Sequence, residues 1–290
     1  EIGVKSEWTD GKIVYAKFAR GYKAGNIELR ADGTINMVEP EVILSIEAAT
    51  KNRFFDNRLH LNLTGFYYDY SDLQVPLIQG LEVVTENAAQ ADIWGLELET
   101  VAKPIGELYV NFTVSYLHAE FGKFCSNDAA QPRDQSDPGC PPPTNPIDGQ
   151  IDLSGNRPED TPSWKITLLT NYKFDLEKYG TITPILKFTF TDQYFLRPFN
   201  CGPCYGVEAG FANPQGIDNQ PWFTRTDIRL QWRSESGYFF GEVFVENIED
   251  NSVYQRVVVG SQLNGGLGSR FGFQTPRIYG GRFGISFEGI

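Results

Sequence analysis

The chain has 290 residues and a formal net charge of −12, from 25 Lys and Arg against 37 Asp and Glu. This acidic balance disfavours a nucleic-acid-binding protein, because such proteins usually present a basic face to the phosphate backbone. Hydrophobic residues make up 41% and charged residues 21%, which disfavours disorder, and the lack of a long continuous apolar stretch excludes a transmembrane helix.

Apolar and polar residues alternate with a period of two along most of the chain, and helical periodicity is absent. Within residues 107–119, for example, Leu108 and Val110 alternate with Tyr109 and Asn111. Successive side chains of a strand point to opposite faces, so the alternation is typical of strands with one apolar and one polar face. In chain order it predicts ten strands, at about residues 11–20, 39–52, 58–71, 91–102, 107–120, 164–175, 181–192, 222–232, 238–260 and 278–287.

The connections between these strands alternate in length. The short ones lie near residues 53–57, 103–106, 176–180 and 233–237, and the long ones near 21–38, 72–90, 121–163, 193–221 and 261–277. A transmembrane barrel has short periplasmic turns and longer extracellular loops, and about 9–11 residues per strand cross a bilayer at a tilt. The sequence therefore predicts an all-β, antiparallel up-and-down transmembrane barrel, with the start of strand 11–20 and the C-terminus on the periplasmic side.

Large aromatic residues lie at the ends of predicted strands, where a barrel needs them. Trp164 opens strand 164–175 and Tyr172 and Phe174 close it, while Trp222 and Trp232 bracket another strand. Rings of this type favour the interface between membrane and water. The alternative is that these rings fill the core of a β-sandwich.

All four cysteines fall in two of the long loops, at Cys125, Cys140, Cys201 and Cys204. An even number in extracellular loops fits two disulfides, most simply Cys125–Cys140 and Cys201–Cys204. The first would close a loop of about 16 residues, which is worth roughly 3 kcal/mol in the chain-entropy model. Cys201 and Cys204 also match the C-x-x-C pattern of redox enzymes, but the strand and helix that flank that motif are missing here.

Motifs for catalysis or cofactor binding are absent from the sequence, so we expect neither an enzyme nor a bound cofactor or metal. The only histidines, His60 and His118, stand alone on separate strands. Glu97 and Glu99 share one strand face, and paired carboxylates can perform acid–base chemistry. A face of another predicted strand is shared by the charged residues Arg225, Asp227 and Arg229. Over acid–base chemistry we favour the interpretation that these charged residues line a water-filled bore and form cross-strand ion pairs.

Several segments, in order and spread over nearly the whole chain, resemble the C-terminal part of TonB-dependent outer-membrane receptors. Residues 15–25 resemble a strand-and-loop motif of that family, in which Gly-Tyr-Lys follows a strand rich in aromatic residues. Residues 66–75 resemble the aromatic end of another strand of that family. The remaining matches are 38–41 with Glu47, 87–89 with Ile93, Gly95 and Glu97, then Val243, Val245, Asn247, Ile248, Asp250 and Tyr254, and finally 276–280.

The resemblance implies that residues 1–290 are the C-terminal portion of a barrel domain and supply about the last ten strands of a 22-stranded barrel around a plug. The plug domain and the earlier strands are not in this chain. Such a receptor lies in the bacterial outer membrane, contacts its lipid, and depends on the inner-membrane TonB system through the plug. It imports a scarce small molecule or metal chelate, most often a ferric siderophore.

Aromatic and cationic residues of the predicted loops are the candidate ligand contacts. The guanidinium group of Arg can donate paired hydrogen bonds to anionic oxygens, and aromatic rings stack on flat ligand groups. These candidates are Tyr194, Phe195, Arg197, Tyr205 and Arg270. Two other interpretations stay open. One is a complete small outer-membrane barrel of about ten strands, in which strands 11–20 and 278–287 pair with each other, acting as a pore, adhesin or enzyme. The other is a soluble β-sandwich whose apolar faces form a dry core.

Overall fold

A computed structural model describes residues 1–30, 33–79, 82–128, 133–144, 148–200, 219–258 and 270–286. Within these ranges the regular secondary structure is β-strand, apart from one short 3-10 turn at Glu177–Tyr179. No helix in the described ranges is long and apolar enough to cross a membrane.

The strands are, in chain order, β1 (Ile2–Thr9), β2 (Lys12–Lys23), β3 (Asn26–Leu29), β4 (Ile35–Val38), β5 (Glu41–Phe54), β6 (Leu59–Gln79), β7 (Glu82–Ala102), β8 (Leu108–Phe121), β9 (Cys125–Ser126), β10 (Ile151–Asp152), β11 (Trp164–Tyr172), β12 (Phe174–Asp175), β13 (Thr181–Thr191), β14 (Tyr194–Phe195), β15 (Asn219–Gln220), β16 (Phe223–Arg233), β17 (Phe239–Glu246), β18 (Tyr254–Val258), β19 (Arg270–Phe273) and β20 (Ile278–Ile285).

One antiparallel sheet contains all the long strands, in the order β1-β2-β5-β6-β7-β8-β11-β13-β16-β17-β20, with β12 beside β13. Strands that follow one another along this path are neighbours, so the sheet runs up and down as predicted. Short connections join strands at one end of the sheet. At the other end lie the long connections, which form the two-stranded pairs β3–β4, β9–β10, β14–β15 and β18–β19.

The path contains β1, which the sequence analysis missed because its alternation is short and is interrupted by Ser6. A tight turn containing Gly11, whose φ of 75° suits glycine, joins β1 to β2. The start of β2 lies at the short-turn end, as predicted, but β1 adds an eleventh strand that runs toward that end. Among the described residues the sheet path therefore has eleven strands and not the ten predicted, and β1 and β20 run in the same direction.

The predicted loop at 72–90 is instead a continuation of β6 and β7 beyond the rest of the sheet. We call this hairpin, residues 73–79 and 82–88, the arm. Asp72, with φ of 55°, changes the phase of the alternation. Tyr70 on one side of it and Leu73 and Val75 on the other all pack into one apolar cluster. That break in phase is why the sequence pattern resembles a loop.

The predicted strand 238–260 is interrupted in the structure. β17 ends at Glu246, and both Asn247 and Asp250 have φ values near 55°, at 54° and 58°. Asn247 is buried, and its amide nitrogen donates to the carbonyl oxygens of Asn251 and Thr275 at 3.2 and 3.3 Å. These bonds fix a turn that separates β17 from the β18–β19 hairpin.

The sheet has one apolar face, and that face is exposed. Ile46, Leu96, Val243 and Phe283 are 53–69% accessible although they lie on interior strands or on the last strand of the path. No second layer of the described chain covers them. A β-sandwich would bury this face as a core, so the structure does not support that interpretation.

Aromatic side chains border the apolar face at both ends, as predicted. At the long-loop end, the rings of Trp94 and Tyr116 are 5.4 Å apart and those of Tyr116 and Trp164 are 4.8 Å apart. At the short-turn end, the rings of Tyr172 and Phe174 are 4.5 Å apart. The other two predicted rings, Trp222 and Trp232, lie at opposite ends of β16.

Candidate functional site

Two apolar clusters of described residues lie at the long-loop end of the sheet. One cluster joins the arm to the connection that follows β8, and its largest buried members are Phe121, Phe124 and Leu153. A second cluster contains Tyr194 and Leu196 from the connection after β13 and Val253 and Val257 from the connection after β17. Three long connections therefore pack into ordered structure where the sequence alone indicates loops.

A disulfide between Cys125 and Cys140, one of the two pairings suggested by the sequence, closes a ring in the connection after β8. Cys125 begins β9, which pairs with β10. Next to it, the buried Ser126 hydroxyl donates to a carboxylate oxygen of Glu86 on the arm at 2.8 Å. The disulfide thus lies in a connection that is anchored to the arm.

Arg197 forms a buried ion pair with Asp128, a residue of the same disulfide-closed ring. The Arg197 side chain is 10% and the Asp128 side chain 1% accessible. The guanidinium also stacks over the ring of Phe199 at 4.7 Å. The geometry places Arg197 as a link between two connections, and the predicted ligand contact through this residue stays a prediction.

Tyr194 and Phe195 form β14, but they point to different surroundings. Tyr194 is buried in the second cluster, and its hydroxyl donates to the carbonyl oxygen of Tyr254 at 3.2 Å. Burial, and to a smaller extent the nearby Asp160 carboxylate, raises the pKa of Tyr194 to about 12. Phe195 is half-buried and accepts a backbone bond from Asp160. Of the two, Phe195 is the more accessible to a ligand.

Between the two clusters lies a cleft of about 530 Å³, which we call the mouth cleft. The arm, the two connections that Arg197 links, and the β18–β19 hairpin form its walls. It is lined by Pro76, Leu77, Val83, Glu159, Asp160, Leu196, Arg197, Pro198, Phe199, Gln255, Arg256, Val257 and Gly272. Apolar walls with a few charged groups are typical of small-molecule sites.

The other predicted site residues cannot be placed against this cleft. Tyr205 and the proposed Cys201–Cys204 pair lie outside the described residues. The backbone of Arg270 pairs with Val258 in the β18–β19 hairpin, and its side chain is outside what the structure describes.

Asp160 lines the mouth cleft in the left-handed backbone region, with φ of 56°. Backbone strain of this kind occurs disproportionately at functional sites. Burial raises the pKa of the Asp160 carboxyl, because the charged form is less well solvated there.

We expect Asp160→Asn to change the pH dependence of stability. Because the pKa of Asp160 is higher in the folded than in the unfolded state, its contribution to stability is present at low pH and is lost as pH rises above about 4. The variant should therefore gain melting temperature relative to wild type at neutral pH but not at pH 4. Thermal unfolding at both pH values tests this, and an equal difference at both would contradict it.

The polar face of the sheet carries the predicted charged residues of β16. Arg225 and Asp227 are in contact, with Nε and Oδ1 3.3 Å apart. Arg229 contacts both Glu242 and Glu246 of β17, at 3.3 and 3.5 Å. The expectation of cross-strand ion pairs on this face is confirmed here.

Glu242 is the centre of this network, because its side chain is only 3% accessible. One oxygen lies 3.3 Å from both Arg229 Nη1 and Arg282 Nε, and the other accepts a bond from the Gln231 amide at 2.6 Å. With this many donors, the carboxylate is suited to a fixed structural role.

Gly280 of β20 provides space for the ring of Phe244, which also contacts Arg229. A Cβ atom at Gly280 would lie 2.2 Å from Phe244 Cζ, whereas one at Gly281 would meet nothing closer than 3.3 Å. We expect Gly280→Ala to destabilise the protein by about 1–3 kcal/mol through overpacking, and the matched Gly281→Ala to cost less. Urea unfolding of the two variant proteins measures both losses, and equal losses would contradict the prediction.

Residues 2–248 match the family described as TonB dependent receptor-like, beta-barrel. The chain belongs to the TonB-dependent receptor β-barrel family. The match covers the main sheet as far as the end of β17, and agrees with the resemblance noted in the sequence.

Solved structures of receptors share the fold of this TonB-dependent receptor barrel chain. The ferric yersiniabactin uptake receptor FyuA from Yersinia pestis is 18% identical with a TM-score of 0.72, and the match covers 98% of this chain and 36% of FyuA. The siderophore receptor PiuA from Acinetobacter baumannii is 16% identical with a TM-score of 0.62, covering 98% and 35%. The chain therefore spans about a third of the length of these transport receptors.

The sequence analysis missed the ion pair of Arg197 with Asp128. It also missed the arm, which packs against the connection that follows β8 in this receptor-family chain. Asp128 is 69 residues from Arg197 and lies in a polar run without strand periodicity. Nothing in the local sequence distinguishes it from the other aspartates of that connection. Asp160 and Arg256 were also missed, because only the folded connections bring them to one cleft.

Proposed function

We propose that residues 1–290 are the C-terminal portion of the barrel domain of a TonB-dependent receptor. This receptor imports a scarce nutrient, a ferric siderophore or similar iron complex, across the bacterial outer membrane. The observation that carries the proposal is a sheet with one exposed apolar face and one polar face, whose long connections pack around a cleft at one end. Family membership and the receptor folds support it.

The exposed apolar face fits the hydrocarbon core of the outer membrane. Its aromatic borders fit the two interfaces, where such rings are enriched. The opposite face, with Glu242 and its ion pairs, fits a watery bore. On this arrangement the long connections are extracellular and the short turns periplasmic, so the mouth cleft opens toward the incoming ligand.

The two ends of the sheet path favour a larger barrel over a complete small one. Within the part of the chain that the structure describes, neither β1 nor β20 has a partner strand on its outer edge, and the two run in the same direction, so pairing them would give a parallel contact. Bacterial barrels close antiparallel, which requires an odd number of further strands. A barrel of about 22 strands leaves about eleven, which satisfies this requirement and supplies both edges with partners.

The mouth cleft is the proposed ligand contact. Phe199 and the apolar arm residues offer stacking surface, while Arg256 offers a guanidinium with no partner among the described residues. Loop residues Phe195, Tyr205 and Arg270 remain proposed contacts. Release toward the periplasm would need a plug in the bore and energy from TonB, and no catalysis is required.

Iron uptake by the full-length receptor tests the proposal. Cells lacking other iron receptors and carrying this one are supplied with a panel of ⁵⁵Fe-siderophores, in matched strains with and without TonB. We expect one siderophore to accumulate only when both receptor and TonB are present. Lack of uptake across hydroxamate, catecholate and carboxylate chelates, or uptake that ignores TonB, would count against it.

A further inference from the structure

The long connections pack on one another in the order in which they follow along the sheet. The second cluster joins the connection after β17 to the connection after β13, and the ion pair of Arg197 with Asp128 joins the latter to the connection after β8. The first cluster joins the connection after β8 to the arm. Each of these connections is therefore covered on one side by the connection that precedes it in the chain.

The β3–β4 hairpin continues this order, because one of its faces is bound to the arm. The Glu28 carboxylate accepts bonds from the backbone amide of Thr85 at 3.0 Å and from its hydroxyl at 2.7 Å. Asn36, the register partner of Glu28, donates to the carbonyl oxygen of Thr85 at 2.9 Å. Val38, two residues further along β4, is 5% accessible. The face that carries Glu28, Asn36 and Val38 is thus the one that meets the arm.

The opposite face of the hairpin is apolar, and no other described part of the chain covers it. Ile27 pairs with Met37 and Leu29 pairs with Ile35, so these four side chains form one patch, which we call the hairpin patch. Its residues are 67–77% accessible, against 53% for Ile46 on the apolar face of the main sheet. Contiguous exposed apolar patches usually mark interaction surfaces.

Membrane lipid is a poor candidate for covering the hairpin patch. The aromatic border of the apolar face crosses β7 at Trp94, and Thr85 lies nine residues before Trp94 on that continuous strand. This spacing corresponds to roughly 30 Å along the strand, at about 3.3 Å per residue. A hairpin bound at Thr85 therefore lies well beyond the hydrocarbon, where an apolar surface is covered by protein or meets water.

We infer that the hairpin patch packs against the long connection that leads into β1 in the full-length receptor. The inference rests on the proposed function, in which further strands complete the barrel. β1 runs toward the short-turn end, so a connection into β1 arrives at the long-loop end, beside the hairpin. In the sheet path β1 also lies on the side of β2 and β5 that is away from the arm.

This occupant extends the observed order by one step, because it is the connection that precedes the β3–β4 hairpin in the chain. An occupant with apolar side chains would remove the hairpin patch from water, which is the main favourable term in packing of this kind. The matched part of FyuA is 36% of its length, so a receptor of that size has further chain to supply the connection.

The packing would also support one wall of the mouth cleft. The arm lines that cleft through Pro76, Leu77 and Val83. The hairpin holds the arm close to the same place, at Thr85. A connection that covers the hairpin patch would therefore brace the arm from behind the hairpin.

Photo-cross-linking of the full-length receptor in cells tests the inference. Met37 is replaced by p-benzoyl-phenylalanine, which on irradiation bonds to C–H groups in contact with it. We expect an intramolecular product, and mass spectrometry of the digest should locate the link in the connection that leads into β1. The same replacement at Phe55, 74% accessible in a short turn at the other end of the sheet, is the matched control and should give no such link.

Phe271 provides the positive control, because its ring lies 5.2 Å from that of Tyr254 and the photoreactive residue there should link to the strand of Tyr254. A link at Phe271 without one at Met37 would overturn the inference. So would a link of equal yield at Phe55, or a link from Met37 to a second copy, another protein or lipid.

Uptake of ⁵⁵Fe separates this inference from the proposed function. TonB-dependent uptake together with any of the overturning results would leave the proposed function intact. A link from Met37 to the connection into β1, in a receptor without TonB-dependent uptake, would have the opposite meaning. The packing of the hairpin patch would then stand and the transport proposal would fail.

Discussion

Leu168→Arg is expected to destabilise the folded receptor by about 2–4 kcal/mol in a lipid bilayer. Leu168 lies at the centre of β11, midway between the bordering rings of Trp164 and Tyr172, and on the apolar face. If that face meets hydrocarbon, the guanidinium is placed at the depth where charge is most costly. Urea unfolding of the receptor in lipid vesicles measures the loss.

The matched control is Thr167→Arg, one residue away on the same strand. Thr167 lies on the polar face between Thr113 and Thr189, so the added side chain would enter the proposed bore and should change stability little. A large difference between the two variants identifies which face meets lipid. Equal effects, or a greater loss at Thr167, would show that the apolar face is not lipid-exposed and would remove the physical basis of the proposed function.

Much of the sheet could be predicted because strand alternation is a local property of sequence. Leu108 to Tyr116 alternate without interruption, and β8 forms there. Connection lengths are equally visible, so the separation of short turns from long connections was predictable. The same reasoning failed at Asp72, where a single residue with positive φ reverses which side chains face the interior.

The mouth cleft could be predicted only in its location and not in its contacts. The sequence predicts Arg197 as a ligand contact, because the donors of an Arg in a long loop suit the anionic oxygens of a ligand. The structure buries it against Asp128, a partner contributed by a different connection. Long-range pairing of this kind depends on how the connections pack on the arm, and local periodicity carries no information about that.

Removing the guanidinium of Arg197 is expected to weaken the packing of the long connections by about 3–5 kcal/mol, the usual cost of leaving a buried charge without its partner. In Arg197→Ala the Asp128 carboxylate, 1% accessible, would stay buried, and Phe199 would lose its stacked guanidinium. Hydrogen exchange should therefore accelerate around Asp128 and Phe199 while amides of the main sheet keep their protection.

The double variant Arg197→Met/Asp128→Leu separates a structural role from ligand recognition. Replacing a buried ion pair by apolar side chains of similar size is often neutral for stability, so slow hydrogen exchange should return in these connections. If Arg197 only links the connections, affinity for the proposed siderophore ligand should recover together with exchange protection. If Arg197 contacts an anionic ligand, as the sequence suggested, affinity should stay low although protection returns. Loss of both properties in the double variant would mean that the apolar pair does not repack, and would contradict the prediction that this ion pair is replaceable.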